Sequence, residues 1–126
     1  MSTLAEPTTR ARILIVDDQA PNVRLLERLL TAAGYHRLYS TTTPEQVTSL
    51  VSQVNPDLIL LDLHMPGLDG FGVMEQLQGR LSEERYLPIL VVTADLSVEV
   101  RQRALGAGAK DFLNKPFDAV EALLRI

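Results

Sequence analysis

The chain contains no cysteine, and it has no apolar run that approaches the length needed to span a membrane. Without cysteine, disulfides, thiolate nucleophiles and zinc–thiolate sites are excluded, and a reducing cytosol suits the chain. The first eleven residues also lack the basic start and apolar centre of a signal peptide. We therefore expect a cytoplasmic protein that does not enter a membrane, with a disordered tail over residues 1–11.

The sequence also lacks a concentrated basic patch. Its formal net charge is −4, with both signs interspersed, so direct nucleic-acid binding by this chain is not expected. Lysine is scarce, because 10 of the 12 cationic side chains are arginine and the two lysines are Lys110 and Lys115. This scarcity gives Lys115 weight as a functional candidate. The length of 126 residues fits one domain, over residues 12–126.

Apolar segments alternate between strand-like and helix-like spacing. Continuous branched runs predict strands buried on both faces, and apolar residues three or four apart predict helices. The predicted strands cover residues 12–16, 37–40, 57–61, 87–92 and 111–113. The predicted helices cover 21–33, 44–54, 71–77 and 98–106, and a fifth helix begins at Phe117. We also expect Thr43 and Ser97 to be N-caps, and residues 79–86 to form a solvated connection.

The predicted helices each carry an apolar face. These faces consist of Leu25, Leu26, Leu29 and Leu30 in the first helix, Val98, Val100 and Leu105 in the fourth, and Phe117, Val120, Leu123 and Leu124 in the fifth. The last face continues to Ile126 without a capping signal. We therefore expect the fifth helix to be cut short and a following domain to have been removed.

Five apolar strands that alternate with five helices indicate a parallel sheet with helices on both faces. Right-handed crossovers, with one reversal of the winding, give the strand order 2-1-3-4-5 of the doubly wound, flavodoxin-like (βα)5 fold. In this order the first and third strands are neighbours. The carboxyl ends of all five strands lie at one edge of the sheet, where ligands bind in open α/β sheets.

Polar residues follow the predicted strands at this edge. Asp17 and Asp18 follow the first strand, Asp62 ends the third, Thr93 ends the fourth and Lys115 follows the fifth. Three neighbouring carboxylates repel one another unless positive charge lies among them, and Lys115 alone leaves about two negative charges. A divalent cation brings the formal sum to zero, and oxygen-only ligands select a hard ion such as Mg²⁺.

A Mg²⁺ ion held by few carboxylates keeps positions for phosphate oxygens, which indicates phosphoryl chemistry. Asp62 best fits a nucleophile that forms an acyl phosphate, because it stands alone at its strand end before a loop of backbone N–H donors. Asp17 and Asp18 suit the metal ion. The Thr93 hydroxyl and the Lys115 ammonium supply donors for the remaining phosphate oxygens.

Together these residues resemble the receiver domains of two-component response regulators. The resemblance rests on VDDQ after the first strand, DLILLDLHMPGLDG around the third, VVTA at the fourth and DFLNKPF at the fifth. It implies transfer of a phosphoryl group from a histidine kinase or phosphotransfer protein. The implied site residues are the phosphoacceptor Asp62, the Mg²⁺ ligands Asp17, Asp18, Asp62 and the backbone carbonyl of His64, and the phosphoryl contacts Thr93 and Lys115.

The resemblance also implies a switch. On phosphorylation, Thr93 moves toward the phosphate and the aromatic Phe112 turns inward, which changes the face made by the fourth helix, fifth strand and fifth helix. Many relatives carry tyrosine at the position of Phe112, so this chain has no hydroxyl to engage a partner there. Dimerisation through the same face is a further prediction. We also hypothesise that His64 and Asp95 tune the acyl-phosphate lifetime by positioning or excluding water.

The sequence thus predicts a signalling module, with catalysis limited to its own phosphorylation and dephosphorylation, that controls an output domain or partner. The alternative is a Mg²⁺-dependent aspartyl-phosphate phosphatase of the haloacid dehalogenase type. Such enzymes need an acid two residues after the nucleophile, where this chain has His64. A flavin-binding flavodoxin needs a phosphate-cradling loop after the first strand, where the acidic Asp17 and Asp18 would repel phosphate.

Overall fold

The computed structural model describes residues 10–80, 87–95, 97–116 and 118–126. The strands are β1 (Arg12–Val16), β2 (Arg37–Thr41), β3 (Leu58–Asp62), β4 (Ile89–Thr93) and β5 (Asp111–Asn114). The α-helices are α1 (Ala20–Ala32), α2 (Val47–Val54), α3 (Gly70–Arg80), α4 (Val98–Gly106) and α5 (Ala119–Arg125). All strand pairs are parallel in the order β2-β1-β3-β4-β5, which confirms the predicted fold. Within the described residues, no helix combines the length and apolar character needed to cross a bilayer.

Helices cover both faces of the sheet. Successive strand residues point to opposite faces. In β1, Ile13 and Ile15 therefore pack with α1 and α5, whereas Leu14 and Val16 pack with α2, α3 and α4. Strands β1, β3 and β4 are buried almost throughout, whereas the edge strands β2 and β5 are partly exposed. This burial explains why the central strands are continuous aliphatic runs.

Most predicted helix boundaries agree with the structure, but one cap agrees only in part. The Ser97 hydroxyl accepts a hydrogen bond from the Val100 N–H and caps α4, as predicted. Thr43 lies in the N-cap position of a 3-10 turn, Pro44–Gln46, and its side chain makes no capping hydrogen bond. The N-cap position of Thr43 before Pro44 is thus confirmed, but the side-chain hydrogen bond expected of an N-cap is absent. The Thr41 hydroxyl accepts from the Thr43 N–H at 3.0 Å and orders this turn instead.

Three of the predicted apolar helix faces are wrong in part. Leu25 of α1 is 51% exposed, and Val120 and Leu124 of α5 are 69% and 81% exposed. Val98 and Leu105 of α4 are also exposed. Helices α4 and α5 instead bury one alanine each, Ala104 and Ala122.

The predicted connection over residues 79–86 begins too early, because α3 continues to Arg80. Residues 81–86 of that connection lie outside the described residues, as do the tail residues 1–9 and Phe117.

Candidate functional site

An acidic cluster lies at the carboxyl-end edge of the sheet, where β1 and β3 are neighbours. Asp17 directly follows β1, and Asp62 is the last residue of β3. One carboxylate oxygen each from Asp17, Asp18 and Asp62 lies within 4.8 Å of the other two. Asp17 and Asp62 are buried, whereas Asp18 is half-buried at the mouth of the site. The strand order thus brings together residues that are about 45 positions apart in the sequence.

Lys115 lies between the two buried carboxylates. Its Nζ is 3.1 Å from Asp17 Oδ2 and 3.3 Å from Asp62 Oδ1. The backbone of β5 fixes this position, because the Lys115 N–H donates to the Thr93 carbonyl at 2.9 Å. One ammonium against the three carboxylates leaves a formal charge of −2 in the cluster.

Burial and the neighbouring charge of Asp17, in that order, raise the pKa of Asp62 above its usual value. Lys115 and the His64 N–H act in the opposite direction, but they do not cancel the effect. The site therefore holds more negative charge than its own cation neutralises.

Backbone donors orient both buried carboxylates. The Gln19 N–H donates to Asp17 Oδ1 at 2.9 Å, and the His64 N–H donates to Asp62 Oδ1 at 3.3 Å. Among the described residues, no hydrogen bond reaches Asp62 Oδ2. That oxygen is available to a ligand or an electrophile. The sequence does not predict the role of Gln19, because Gln19 contributes only its backbone N–H to the site.

The donor set fits a hard divalent cation. All three side chains offer carboxylate oxygens, and the single ammonium of Lys115 leaves the cluster with a formal negative charge. The peptide of His64 lies beside the cluster, since its N–H contacts Asp62.

Thr93 lies at the end of β4 and is fully buried. Its hydroxyl oxygen accepts a hydrogen bond from the Asp95 N–H at 3.1 Å. No hydrogen bond joins Thr93 to Asp62 or to the Lys115 side chain in the part of the chain that the structure describes. Thr93 thus lies at the predicted edge of the sheet, but among the described residues its hydroxyl makes no hydrogen bond to the side chains of the acidic cluster.

His64 and Asp95 are both exposed beside the site. The Ser97 N–H donates to Asp95 Oδ1 at 3.0 Å. This bond, followed by a hydrogen bond to the Ser97 side chain, lowers the pKa of Asp95, and charge on nearby His64 acts in the same direction. The two predicted lifetime residues are therefore close enough to interact electrostatically.

Phe112 lies in β5 opposite Val91 of β4. It is half-buried and packs against the core on the face of the sheet that α2, α3 and α4 cover. The structure thus places Phe112 between the buried core and the surface of β5.

Comparison with known proteins agrees with this geometry. The family model described as "Response regulator receiver domain" matches residues 13–126. A solved structure of the Vibrio cholerae chemotaxis protein CheY4 is similar with a TM-score of 0.83 and 27% identity, and the alignment covers 93% of this chain and 98% of that chain. These matches give no support to the haloacid dehalogenase alternative.

Curated relatives share the same region. The response regulator PleD of Caulobacter vibrioides is 40% identical over 92% of this chain, which spans 25% of PleD. The sensory/regulatory protein RpfC of Xanthomonas campestris is 37% identical over 89% of this chain, which spans 15% of RpfC. This chain thus corresponds to a quarter or less of each of these two relatives. It belongs to the response regulator receiver domains, a family of signalling modules.

Proposed function

We propose that this chain accepts a phosphoryl group on Asp62 from a phosphohistidine of a histidine kinase or phosphotransfer protein. The observation that supports this most directly is the buried pair of Asp17 and Asp62, bridged by Lys115 and completed by Asp18. In the transfer, a bond forms between a carboxylate oxygen and phosphorus while the phosphorus–nitrogen bond of the donor breaks. The released imidazole nitrogen takes up a proton.

Each residue of the cluster has a defined part in this proposal. Asp17, Asp18, Asp62 and the His64 carbonyl would hold Mg²⁺, which when bound neutralises charge on the phosphoryl oxygens. Asp62 Oδ2 is the oxygen that attacks, since Oδ1 is occupied by the His64 N–H and by Lys115. Lys115 pairs with the new phosphoryl oxygens as the Asp62 carboxylate loses its charge.

We further propose that phosphorylation is relayed through Thr93 and Phe112. The Thr93 oxygen accepts from Asp95, which leaves the hydroxyl proton free to donate to a phosphoryl oxygen. Movement of Thr93 opens space beside β5, and the half-buried ring of Phe112 turns into it.

The surface of α4, β5 and α5 then changes. Exposed apolar side chains on these elements include Val98 and Leu105 of α4 and Val120 and Leu124 of α5. An exposed apolar patch of this kind suits contact with an output domain, a partner or a second copy of the chain.

We also propose that the exposed pair of His64 and Asp95 sets the lifetime of the acyl phosphate. Both side chains are exposed beside the site, and charge on His64 contributes to the lowered pKa of Asp95. Dephosphorylation of phosphorylated His64→Ala and Asp95→Ala is therefore expected to differ severalfold from that of the parent. Release of inorganic phosphate measures this rate, with the exposed Glu75→Ala on α3 as the control. Unchanged rates in both variants would contradict the assignment.

The cellular context is part of the same proposal. The domain works in the cytoplasm, where a histidine kinase can reach it, and its catalysis is confined to its own phosphorylation and dephosphorylation. The output lies in a further domain or in a separate partner. The limited share of PleD and RpfC that this chain spans supports a modular arrangement.

Intact-mass spectrometry tests the proposed function. Incubation with acetyl phosphate and Mg²⁺ is expected to add one phosphoryl group to the parent chain and none to Asp62→Asn. Glu75→Gln is the control, because it removes an exposed carboxylate on α3 that is outside the acidic cluster, and it should still be modified. An adduct that persists in Asp62→Asn would refute the proposal.

A further inference from the structure

We infer that Gly70 is a positioning residue for Asp62, a role that rests on the proposed function. Gly70 is the first residue of α3 and is buried. Its N–H donates to the Leu63 carbonyl at 3.0 Å, which attaches the start of the helix to the residue that follows Asp62. The helix and the end of β3 therefore meet at their backbones.

A side chain at position 70 has no room. A Cβ atom there would lie 2.6 Å from the Asp62 carbonyl oxygen and 2.8 Å from the Leu63 Cα. Both are backbone atoms, so a change of rotamer does not relieve the overlap. Ordinary contacts of a Cβ atom begin at 3.4 Å, so one backbone has to move by roughly 0.8 Å. Glycine at this position thus permits the observed approach.

The backbone that would move is that of Asp62 and Leu63, and Asp62 is the central residue of the site. Asp62 Oδ1 is held by the His64 N–H and lies 3.3 Å from Lys115 Nζ. A displacement of Asp62 and Leu63 changes the distances from the Asp62 carboxylate to Lys115 and to Asp17. Gly70 has no side chain to offer as a ligand, and its N–H is bonded to the Leu63 carbonyl, so we expect it to act through the backbone of Asp62 and Leu63. Displacements of about 1 Å are large enough to cost on the order of 100-fold in rate when a reactive group must be oriented.

Gly72 provides a matched control in the same helix. A Cβ atom there would meet the Leu68 side chain, whose far end can rotate away, and it would meet no atom of Asp62 or Leu63 within its nearest contacts. Gly70→Ala and Gly72→Ala make the same chemical change two residues apart in one helix. The added carbon overlaps the backbone of Asp62 and Leu63 in Gly70→Ala, but it does not do so in Gly72→Ala.

The test compares Mg²⁺ affinity and phosphorylation in the two variants. Titration of the unphosphorylated chain with Mg²⁺, followed by NMR, measures metal binding without any phosphoryl transfer. We expect Gly70→Ala to bind Mg²⁺ about 10- to 100-fold more weakly and to react with acetyl phosphate more slowly by a similar factor. We expect Gly72→Ala to stay within about twofold of the parent, since its added carbon meets only a movable side chain. Equal values in the two variants would overturn the inference.

The same experiment distinguishes an effect of Gly70→Ala on folding from an effect on the site of the folded chain. Both variants are measured at a temperature where thermal unfolding shows them folded, and sucrose is added if Gly70→Ala is too unstable. A Gly70→Ala chain that stays unfolded in sucrose would also overturn the inference, because the glycine would then serve the fold and not the placement of Asp62. If the parent itself is not modified on Asp62, the proposed function fails. If the parent is modified and Gly70→Ala matches it, only this inference fails.

Discussion

Asp62 is a buried carboxylate that lies beside a second buried carboxylate, Asp17. Lys115 compensates part of the repulsion from 3.1 and 3.3 Å, yet the pKa of Asp62 remains raised by burial and by Asp17. A proton, a cation or a phosphoryl group at Asp62 each relieves this charge. The charge that the proposed phosphorylation would remove is therefore also a source of local instability in the fold.

This cause predicts a pH-dependent cost in stability. Because the pKa of Asp62 is raised in the folded chain, the folded state binds the proton more tightly than the unfolded state does. The ionised carboxylate therefore destabilises the fold above the raised pKa, and this cost disappears as the pH falls below the unfolded value of 3.8. Without divalent cations, Asp62→Asn is expected to be more stable than the parent at neutral pH by about 1 kcal/mol.

Urea unfolding in EDTA measures this difference between pH 4 and pH 7. The advantage of Asp62→Asn should grow as the pH rises. Glu75→Gln removes one negative charge from an exposed position on α3 and should show no such trend. If the stability advantage of Asp62→Asn is constant across the pH range, or shrinks as the pH rises, the ionised Asp62 carboxylate is not the cause of the instability.

At the scale of the elements, the helix α4 packs against the core through Ala104 and the half-buried Val100, and it also contacts α3. Its buried residue is Ala104, and the guanidinium of Arg103 lies 4.0 Å from the centre of the Phe71 ring on α3. Gln78 of α3 donates a further hydrogen bond to the Ala107 carbonyl just after the helix. These contacts connect α4 to α3, which begins at Gly70 beside Asp62.

A double-mutant cycle with Arg103→Ala and Phe71→Leu measures the contact between α3 and α4. We expect a coupling free energy of about 0.5–1 kcal/mol in unfolding, as is usual for a cation–π pair near the surface. The same cycle with Arg101→Ala should be additive, because Arg101 is exposed on the same helix and does not lie over the Phe71 ring or another ring of the described residues. If the effects of Arg103→Ala and Phe71→Leu on the free energy of unfolding are additive, the contact between these side chains does not stabilise the packing of α4 on α3.

The sequence predicts the strands better than the helix faces, and the reason is physical. Strands β1, β3 and β4 are buried on both sides, so their aliphatic runs leave little choice of structure. In α4 and α5, a small residue such as Ala104 or Ala122 faces the core and larger aliphatic side chains face outward. A periodicity argument follows the larger side chains and therefore selects the wrong face. Tertiary packing decides this orientation.

The acidic cluster is predictable for the same reason as the strands. Asp17, Asp62 and Lys115 follow well-defined strands, so strand order alone brings them to one edge. The contributions of Gln19 and Gly70 are not predictable in this way. Gln19 acts through a backbone N–H, and Gly70 acts by the side chain that it lacks.

At the scale of the whole molecule, the two functional regions lie on different parts of one sheet. The acidic cluster lies at the carboxyl-end edge of β1 and β3, whereas α4, β5 and α5 form the exposed surface proposed to change. Thr93 ends β4, and Lys115 follows β5, so the strands themselves connect the two regions. A small chain can thus join a chemical event to a distant surface through contiguous backbone and packed side chains.

Location of the phosphoryl group tests the central claim most directly. The chain is treated with acetyl phosphate in Mg²⁺ or in EDTA and then reduced with borohydride, which converts an acyl phosphate of aspartate to homoserine. Peptide mass spectrometry then locates the homoserine. The account predicts homoserine at position 62 in Mg²⁺ and little or none in EDTA. Homoserine at Asp17, Asp18 or Asp95, or equal modification of position 62 in EDTA, would contradict it.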